Sequence, residues 1–312
     1  MRQPMPAPPS RQLSSLPRSR EAEARLAWLF VTPALAIVLV VAAFPVLWTV
    51  WESLHAHDLR LPWLGRPFVG LANYHEALTD RRAWSALAHT AVFTAITVTL
   101  ELILGLAFAF ALQRARPGIG VLRAGALVPW AIPTVVAALV WRFIFDTPGG
   151  IVNVLLVDTG LVDSAPAWFT GSQSAWVPIV IADVWRNTPF MALLLLAGLH
   201  SIDPFVYEAA ALDGASALRQ AVHITLPLLR PAIVAAVVFR SLDAFRVFDV
   251  IYVMTGGGPG TATEPLSLLA FGALFRSLRF GYGAALSVTT FLVSFLLALC
   301  WLRLTRWRVD GE

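Results

Sequence analysis

The stretch that decides the fold runs from Tyr207 to Pro231, YEAAALDGASALRQAVHITLPLLRP, and separates two strongly apolar segments. It is polar, and its apolar residues recur at helical spacing on either side of Gly214. The pattern predicts two short amphipathic helices joined by a glycine turn. An ordered polar helix pair between apolar runs indicates a surface on which another molecule docks.

The composition is that of a membrane protein with several spans. Of 312 residues, 58% are hydrophobic and only 13% are charged, and the mean hydropathy is +0.71. Soluble domains are nearer a quarter charged. All 23 basic residues are arginines, and without lysine the chain can form neither a P-loop ATPase site nor a Schiff base. The single cysteine, Cys300, excludes an intrachain disulfide and a cysteine metal cluster.

Six segments are long and apolar enough to cross a bilayer, which takes about 20 residues. Because backbone groups in lipid must be hydrogen-bonded internally, and because the runs do not alternate, we expect helices rather than a barrel. The predicted fold class is an all-α polytopic membrane protein, and its spans are 27–50, 87–112, 122–145, 176–200, 231–253 and 284–305. The first run is too long for a signal-peptide core. The predicted domains are a disordered tail (1–26), a six-span transmembrane domain (27–306) and a C-terminal tail (307–312).

The arginines predict the orientation. With the N-terminus inside, thirteen arginines flank the spans on the cytoplasmic side, six lie outside, and four lie within spans. This ratio favours a topology in which both termini are cytoplasmic. The net charge of +4 is therefore explained by topology, and we expect no nucleic-acid partner. The same topology places residues 201–230 in the cytoplasm.

The cytoplasmic segment has its own start and stop signals. Asp203 reads as an N-cap followed by Pro204 at the first helical position, and the helix should run to about residue 213 and stop at Gly214. Ser216 can cap a second short helix, which Pro227 would end. The first helix has an apolar face at Phe205, Ala209 and Leu212. From amphipathicity alone, a segment lying on the membrane surface is an equal alternative.

The residues of this segment resemble the coupling loop of importer-type ABC transporter permeases. The resemblance rests on nine positions, which it implies contact the ATPase: Glu208, Ala209, Ala210, Asp213, Gly214, Ala215, Ile224, Leu226 and Pro227. One departure matters, because the family usually has an aromatic residue where this chain has Ala221. Its loss would weaken the contact or shift the anchor to a neighbour such as Val222.

Other stretches are similar to the sugar-type branch of these permeases, and the resemblance covers nearly everything after about residue 25. They are Phe68 to Tyr74, Pro129-Trp130-Ala131-Ile132-Pro133, Phe248 to Pro259 and Gly281 to Ser287. The resemblance implies a maltose- or trehalose-type importer. Its partners would be membrane lipid, a second related permease, a cytoplasmic P-loop ATPase dimer holding ATP and Mg, and an extracytoplasmic sugar-binding protein. No cofactor would be bound by this chain itself.

Charged residues inside the predicted spans mark function or pairing. Span five carries Arg240, Asp243, Arg246 and Asp249, which alternate in sign every three residues and could pair in a ladder. Two interpretations remain open at this point. The charges either neutralise one another against a partner subunit, or form a polar stripe that lines a wet cavity. Glu101 in span two is a lone carboxylate, for which we expect a structural hydrogen bond.

The resemblance to maltose-type permeases also implies a substrate pathway. The matching positions are Asp183, Arg186, Asn187 and Phe190 in span four, with Arg240, Asp243 and Ala244 in span five. Tyr252 joins them because aromatic faces suit the C–H surfaces of sugars. Charged residues stand here where the family has mostly neutral ones, so the arginines could instead hold a gate closed.

Three other functions share some of these sequence features. An intramembrane serine protease would use Ser216, but all six histidines precede span five, and Ser216 lies in a polar loop. An ion-coupled secondary transporter of a small polar solute fits the buried carboxylates, although the chain shows no internal repeat. An ABC importer of glycerol-3-phosphate-like substrates would keep the coupling loop and change the cargo.

Overall fold

The computed structural model of the protein describes residues 20–114, 119–147 and 149–309. The regular elements of those residues are helical, which confirms the all-α class. Short π-helical turns cover Leu39–Ala43, Ala221–Thr225 and Gly272–Arg276. The α-helices are α1 (Arg20–Val38), α2 (Phe44–Ser53), α3 (Ala72–Thr79), α4 (Arg81–Arg114), α5 (Ile119–Ala126), α6 (Val128–Ala131), α7 (Thr134–Ile144), α8 (Ile151–Asp158), α9 (Trp176–His200), α10 (Pro204–Leu212), α11 (Ala217–Gln220), α12 (Leu226–Phe245), α13 (Asp249–Met254), α14 (Leu266–Phe271) and α15 (Phe280–Val309).

The chain divides into two units between Thr49 and Val50. The first unit contains α1, the π turn after it and the start of α2, and its apolar side chains are exposed along nearly the whole run. Most of the predicted disordered tail lies outside the described residues, and helix α1 begins at Arg20. The second unit contains both candidate sites.

Among the residues that the structure describes, five helical stretches are long and apolar enough to cross a membrane: Arg25–Ser53, Arg81–Gln113, Trp176–His200, Ala217–Phe245 and Phe280–Trp301. Four of the six predicted spans, the first, second, fourth and sixth, coincide with one of them. The fourth agrees at both ends, and Ser201, Asp203 and Pro204 mark the end of its apolar run.

The third predicted span, 122–145, is not one helix. It is divided into α5, α6 and α7, and the chain is extended at Ile132 with φ −69° and ψ 132°. Pro129 and Pro133 explain this division, since each lacks a backbone N–H and Pro133 disfavours the helical conformation of the residue before it. The prediction of a continuous helix is wrong here.

The fifth predicted span, 231–253, is wrong at both ends. The helical stretch begins at Ala217 and ends at Phe245, and residues 249–254 form the separate helix α13. Neither proline nor glycine marks the break after Phe245. The apolar pattern therefore continues across it, and the sequence gives no signal of the new helix direction.

Close approach of α4, α9 and α12 forms the core that positions the charged site. A Cβ added at Gly105 on α4 would lie 2.8 Å from the Cγ of Met191 on α9, and one added at Gly198 on α9 would clash with the Cβ of Ala232 on α12. Small residues at such crossings let helix backbones approach closely. Buried apolar side chains from the same three helices fill the space between them.

Ion pairs join the loops before α14 and α15 to helices α4 and α3. Arg82 donates to both carboxylate oxygens of Glu264 at 2.7 and 2.8 Å, and Arg279 does the same to Glu76 at 2.8 and 2.6 Å. The Thr263 hydroxyl donates to the carbonyl of Gly258 at 2.7 Å. The glycine-rich turn after α13 is thus held in place by its own loop.

Candidate functional site: a coupling segment and a charged cluster

We name residues 203–226 the coupling segment. Its first helix, α10, starts as the sequence predicts, because the carboxylate of Asp203 accepts the backbone N–H of Phe205 at 2.9 Å and Pro204 occupies the first turn. This cap satisfies one of the otherwise unpaired N–H groups at the helix start. The entry into the segment is therefore a fixed corner directly after α9.

The turn between the two helices is a Schellman motif centred on Gly214. Gly214 has φ +76°, a conformation that residues with a side chain rarely adopt. The N–H of Ala215 donates to the carbonyl of Ala210 at 2.9 Å, and the N–H of Gly214 donates to that of Ala211 at 3.1 Å. The predicted glycine stop is confirmed, and the motif makes α10 and its exit one rigid body.

The second helix does not end at Pro227. The Ser216 hydroxyl accepts the N–H of Arg219 at 3.4 Å as the predicted cap, but the helix then continues through the π turn into α12. The N–H of Leu226 donates to the carbonyl of Ala221, five residues back. This wider spacing lies directly before Pro227, which has no N–H of its own to donate. Ile224, Leu226 and Pro227 consequently lie inside one helical stretch with Arg240.

The coupling segment exposes apolar side chains at its tip. Leu212 is 90% exposed, and Phe205 and Leu218 are also largely exposed. Ala221 is half-buried, and Val222 beside it is exposed. Of the predicted coupling residues, Ala210 is buried, Ala215, Ile224 and Leu226 are half-buried, and the others are exposed: Glu208, Ala209, Asp213, Gly214 and Pro227. Leu212, rather than Val222, is the most prominent apolar side chain of the segment.

A second feature, which we name the Arg240 cluster, joins Glu101, Asp183, Arg240 and Asp243. The guanidinium of Arg240 donates from Nε and Nη2 to Glu101 at 2.7 and 3.0 Å. Its Nη2 also donates to Asp183 at 2.5 Å, and its Nη1 donates to Asp243 at 2.9 Å. One arginine therefore binds three carboxylates, which lie on α4, α9 and α12.

The ion pairs of Arg240 with Glu101 and Asp183 are buried, so breaking them should lower the stability of the folded protein. Arg240 is 3% exposed, and Glu101 and Asp183 are buried with it, while the Asp243 side chain is 49% exposed. Buried charges in such a network are costly to leave unpaired, because neither water nor lipid compensates them. The cluster thus joins three helices of this chain.

The predicted charge ladder along span five is only partly formed. Asp243 bridges Arg240 and Arg246, with 3.6 Å between the Arg246 Nη2 and the Asp243 carboxylate. Asp249 is not the next rung, because α12 ends at Phe245 and Asp249 begins α13. The i, i+3 spacing on which the prediction rested applies only within one continuous helix.

Polar residues of α9 extend the cluster along that helix. The amide of Asn187 donates to the carbonyl and the carboxylate of Asp183, both at 3.0 Å. Arg186 donates to the Asn187 side chain at 3.2 Å and to the carbonyl of Ile132 at 3.4 Å. Its guanidinium therefore contacts the point at which the third predicted span is broken.

The predicted pathway residues fall into three groups. In this conformation the buried ones are Asp183, Asn187, Arg240 and Ala244, the half-buried ones are Arg186 and Phe190, and the exposed ones are Asp243 and Tyr252. Tyr252 lies on α13, where its ring stacks on Phe248 at 5.3 Å and lies beneath the Arg276 guanidinium.

Sequence reasoning missed the role of Glu101. The expected structural hydrogen bond is present, but the carboxylate is not alone, since it forms the two-point contact with Arg240. When a carboxylate and an arginine lie in different apolar spans, the sequence indicates that an ion pair joins two of the spans. Which of the span arginines is the partner depends on packing that brings together residues 139 positions apart.

Comparison with known proteins agrees with this architecture. The model of the binding-protein-dependent transport system inner membrane component matches residues 101–307, which contain both the coupling segment and the Arg240 cluster. The chain belongs to this family. It is the membrane-embedded permease component of an ABC transport system, located in the inner membrane, and not an enzyme.

Relatives align with the permease over most of their length. The trehalose/maltose transport system permease protein MalF of Thermococcus litoralis is 45% identical over 92% of this chain and 96% of its own. The trehalose transport system permease protein SugA of Mycobacterium tuberculosis is 44% identical over 88% of this chain and 86% of its own. The fold matches that of a bacterial alginate ABC transporter in complex with an alginate pentasaccharide-bound periplasmic protein, with a TM-score of 0.79. The match covers 94% of this chain and 98% of the solved chain, at 17% sequence identity.

Family membership excludes two of the three rival functions. A component of a binding-protein-dependent system is neither an intramembrane protease nor an ion-coupled carrier. In the structure, Ser216 caps a helix by accepting a backbone N–H, which is a structural role.

Proposed function

We propose that this permease is one of two related transmembrane subunits of an ATP-driven importer of a di- or oligosaccharide such as trehalose or maltose. The 45% and 44% identical relatives are trehalose/maltose and trehalose permeases, which favours a sugar over a glycerol-3-phosphate-like cargo. The other partners are a cytoplasmic dimer of P-loop ATPases, which holds ATP and Mg, and an extracytoplasmic sugar-binding protein. A periplasmic protein in the complex of a structural neighbour supports the latter.

The proposed topology has six spans with both termini in the cytoplasm. Its transmembrane domain covers 27–306, with tails at 1–26 and 307–312. The broken segment α5–α7, third in chain order, would complete the six crossings, since residues 119–144 are mainly apolar. Interrupted helices cross membranes where protein satisfies the free backbone groups. The arginine distribution supports this orientation. It places the exposed tip of the coupling segment on the ATPase side.

One observation carries the proposal: the second half of the coupling segment, from Ala217, lies on the same helical stretch, Ala217–Phe245, as Arg240 and Asp243 of the Arg240 cluster. From Ala217 to Arg240 this stretch is about 35 Å long. Movement of the capped segment by closing ATPases would therefore be transmitted directly to the helix that holds the cluster. Rigid-body tilting of α9 and α12 would alternate access to the pathway.

Uptake by the purified complex in proteoliposomes tests the proposal. With the binding protein added outside and ATP enclosed, we expect labelled trehalose or maltose to accumulate, and proton or sodium ionophores to have no effect. Accumulation of glycerol 3-phosphate in place of either sugar would contradict the carbohydrate assignment. Uptake that follows an ion gradient without ATP would contradict the importer itself.

Asp243→Ala is expected to reduce sugar uptake by about tenfold while the complex still assembles. Asp243 is the exposed member of the Arg240 cluster, so its loss leaves Arg240 bound to Glu101 and Asp183 and should alter stability by about 1 kcal/mol or less. Uptake and the yield of complex, measured on the same preparation, separate the two effects. A variant that no longer assembles would show that Asp243 has a structural role only.

A further inference from the structure

The motif Pro129-Trp130-Ala131-Ile132-Pro133 forms the break between α6 and α7, and Trp130 lies at the end of the short helix α6. The indole of Trp130 stacks on the ring of Phe190 from α9, with centroids 5.1 Å apart and planes inclined by 12°. Phe190 in turn contacts Phe239 of α12 at 5.3 Å. The three rings form an aromatic surface that joins the broken segment to the two helices of the Arg240 cluster.

This aromatic surface remains accessible. Trp130 is 43% exposed and Phe239 is 56% exposed, although Phe190 between them is half-buried. Phe190 packs on one face of the indole, and 43% of Trp130 still remains exposed. A flat stack of this kind presents a rigid apolar surface of fixed orientation.

The neighbours of the rings indicate what the surface faces. On α9, Arg186 lies four residues before Phe190 and shares its side of the helix. On α12, Asp243 lies four residues after Phe239, and both its carboxylate and Arg246 beyond it are exposed. Charged side chains avoid the hydrocarbon of a membrane. The charged residues on the same sides of these helices indicate that the rings face a polar space rather than lipid.

We propose that Trp130 contacts the transported carbohydrate, with its free indole face stacked on the C–H face of a sugar ring. The break at Ile132 fixes the approach of α6, because the Ile132 carbonyl accepts the Arg186 guanidinium at 3.4 Å. Interrupted helices near the middle of a membrane are typical of substrate sites in transporters. This role rests on the proposed import of a sugar, and Trp130 sets which sugars pass.

The test compares Trp130→Leu with Trp130→Phe in the complete complex, supplied with saturating sugar-loaded binding protein. Sugar moved per ATP hydrolysed is measured for trehalose and for maltose. For Trp130→Leu we expect this ratio to fall about fivefold to tenfold, unequally for the two sugars, because the flat ring is lost. Trp130→Phe should stay within about twofold of the parent. Phe143→Leu is the matched control, since it removes an exposed aromatic residue from α7 beyond the break.

Three outcomes would overturn the role of Trp130. An unchanged ratio in Trp130→Leu would show that the ring does not contact the sugar. Equal losses of ATP hydrolysis and uptake, or an equal effect in Phe143→Leu, would show a structural role only. If the parent complex moves neither sugar, the proposed cargo fails first and this inference fails with it.

Discussion

Arg240→Ala is expected to destabilise the permease by about 3–5 kcal/mol, because it leaves the carboxylates of Glu101 and Asp183 buried without their cation. In detergent the variant should give a strongly lowered unfolding temperature and little monodisperse protein. The effect should be larger than that of any surface substitution, since three helices lose their shared contact at once.

Two further variants make the reason for the loss testable. Arg246→Ala removes an arginine whose side chain is 69% exposed, and it should cost about 1 kcal/mol or less. The triple variant Arg240→Met, Glu101→Gln, Asp183→Asn removes the charges together and should recover most of the lost stability, because no buried charge is left unpaired. An Arg240→Ala protein as stable as its parent would contradict the account, as would a triple variant no better than the single one.

Gly214→Pro is expected to reduce uptake to background while the chain still inserts into the membrane. Proline fixes φ near −65°, whereas Gly214 has φ +76°, and it also removes the N–H that donates to Ala211. The Schellman motif would be lost at an exposed site, away from the spans. Insertion is measured by membrane fractionation, and transport by uptake of labelled sugar.

Gly214→Asn is the matched control. Asparagine tolerates the left-handed conformation, and a Cβ at this position has no atom within 4 Å, so most uptake should remain. Glu208→Lys, which reverses an exposed charge on α10, should also abolish uptake, whereas Glu208→Gln should retain part of it. Normal uptake in both Gly214→Pro and Glu208→Lys would show that this segment does not couple.

The local structure of the coupling segment was predictable from the sequence because its signals are local. A carboxylate before a proline caps α10, and a glycine ends it, whatever surrounds them. Trp176–His200 was equally clear, since a mainly apolar stretch of membrane-spanning length ends just before Ser201, Asp203 and Pro204. These features require no knowledge of the tertiary structure.

The remaining features depend on packing or on competing effects. The contact between Glu101 and Arg240 joins residues 139 positions apart, and no spacing rule gives it. The prediction that Pro227 ends a helix is wrong because the π turn before it accommodates the missing N–H. The predicted end of span five at residue 253 is wrong because no proline or glycine marks the end of α12 at Phe245.

Purification of the tagged chain in mild detergent, with all accompanying proteins identified by mass spectrometry, tests the central claim most directly. Purification of the unmutated chain should also yield a second six-span permease and a P-loop ATPase. Leu212→Asp, which places a charge at the exposed tip of the coupling segment, should lose the ATPase and keep the second permease, whereas Leu212→Met should keep both. A parent chain that purifies alone, or an ATPase that stays bound to Leu212→Asp as firmly as to the parent, would contradict the account.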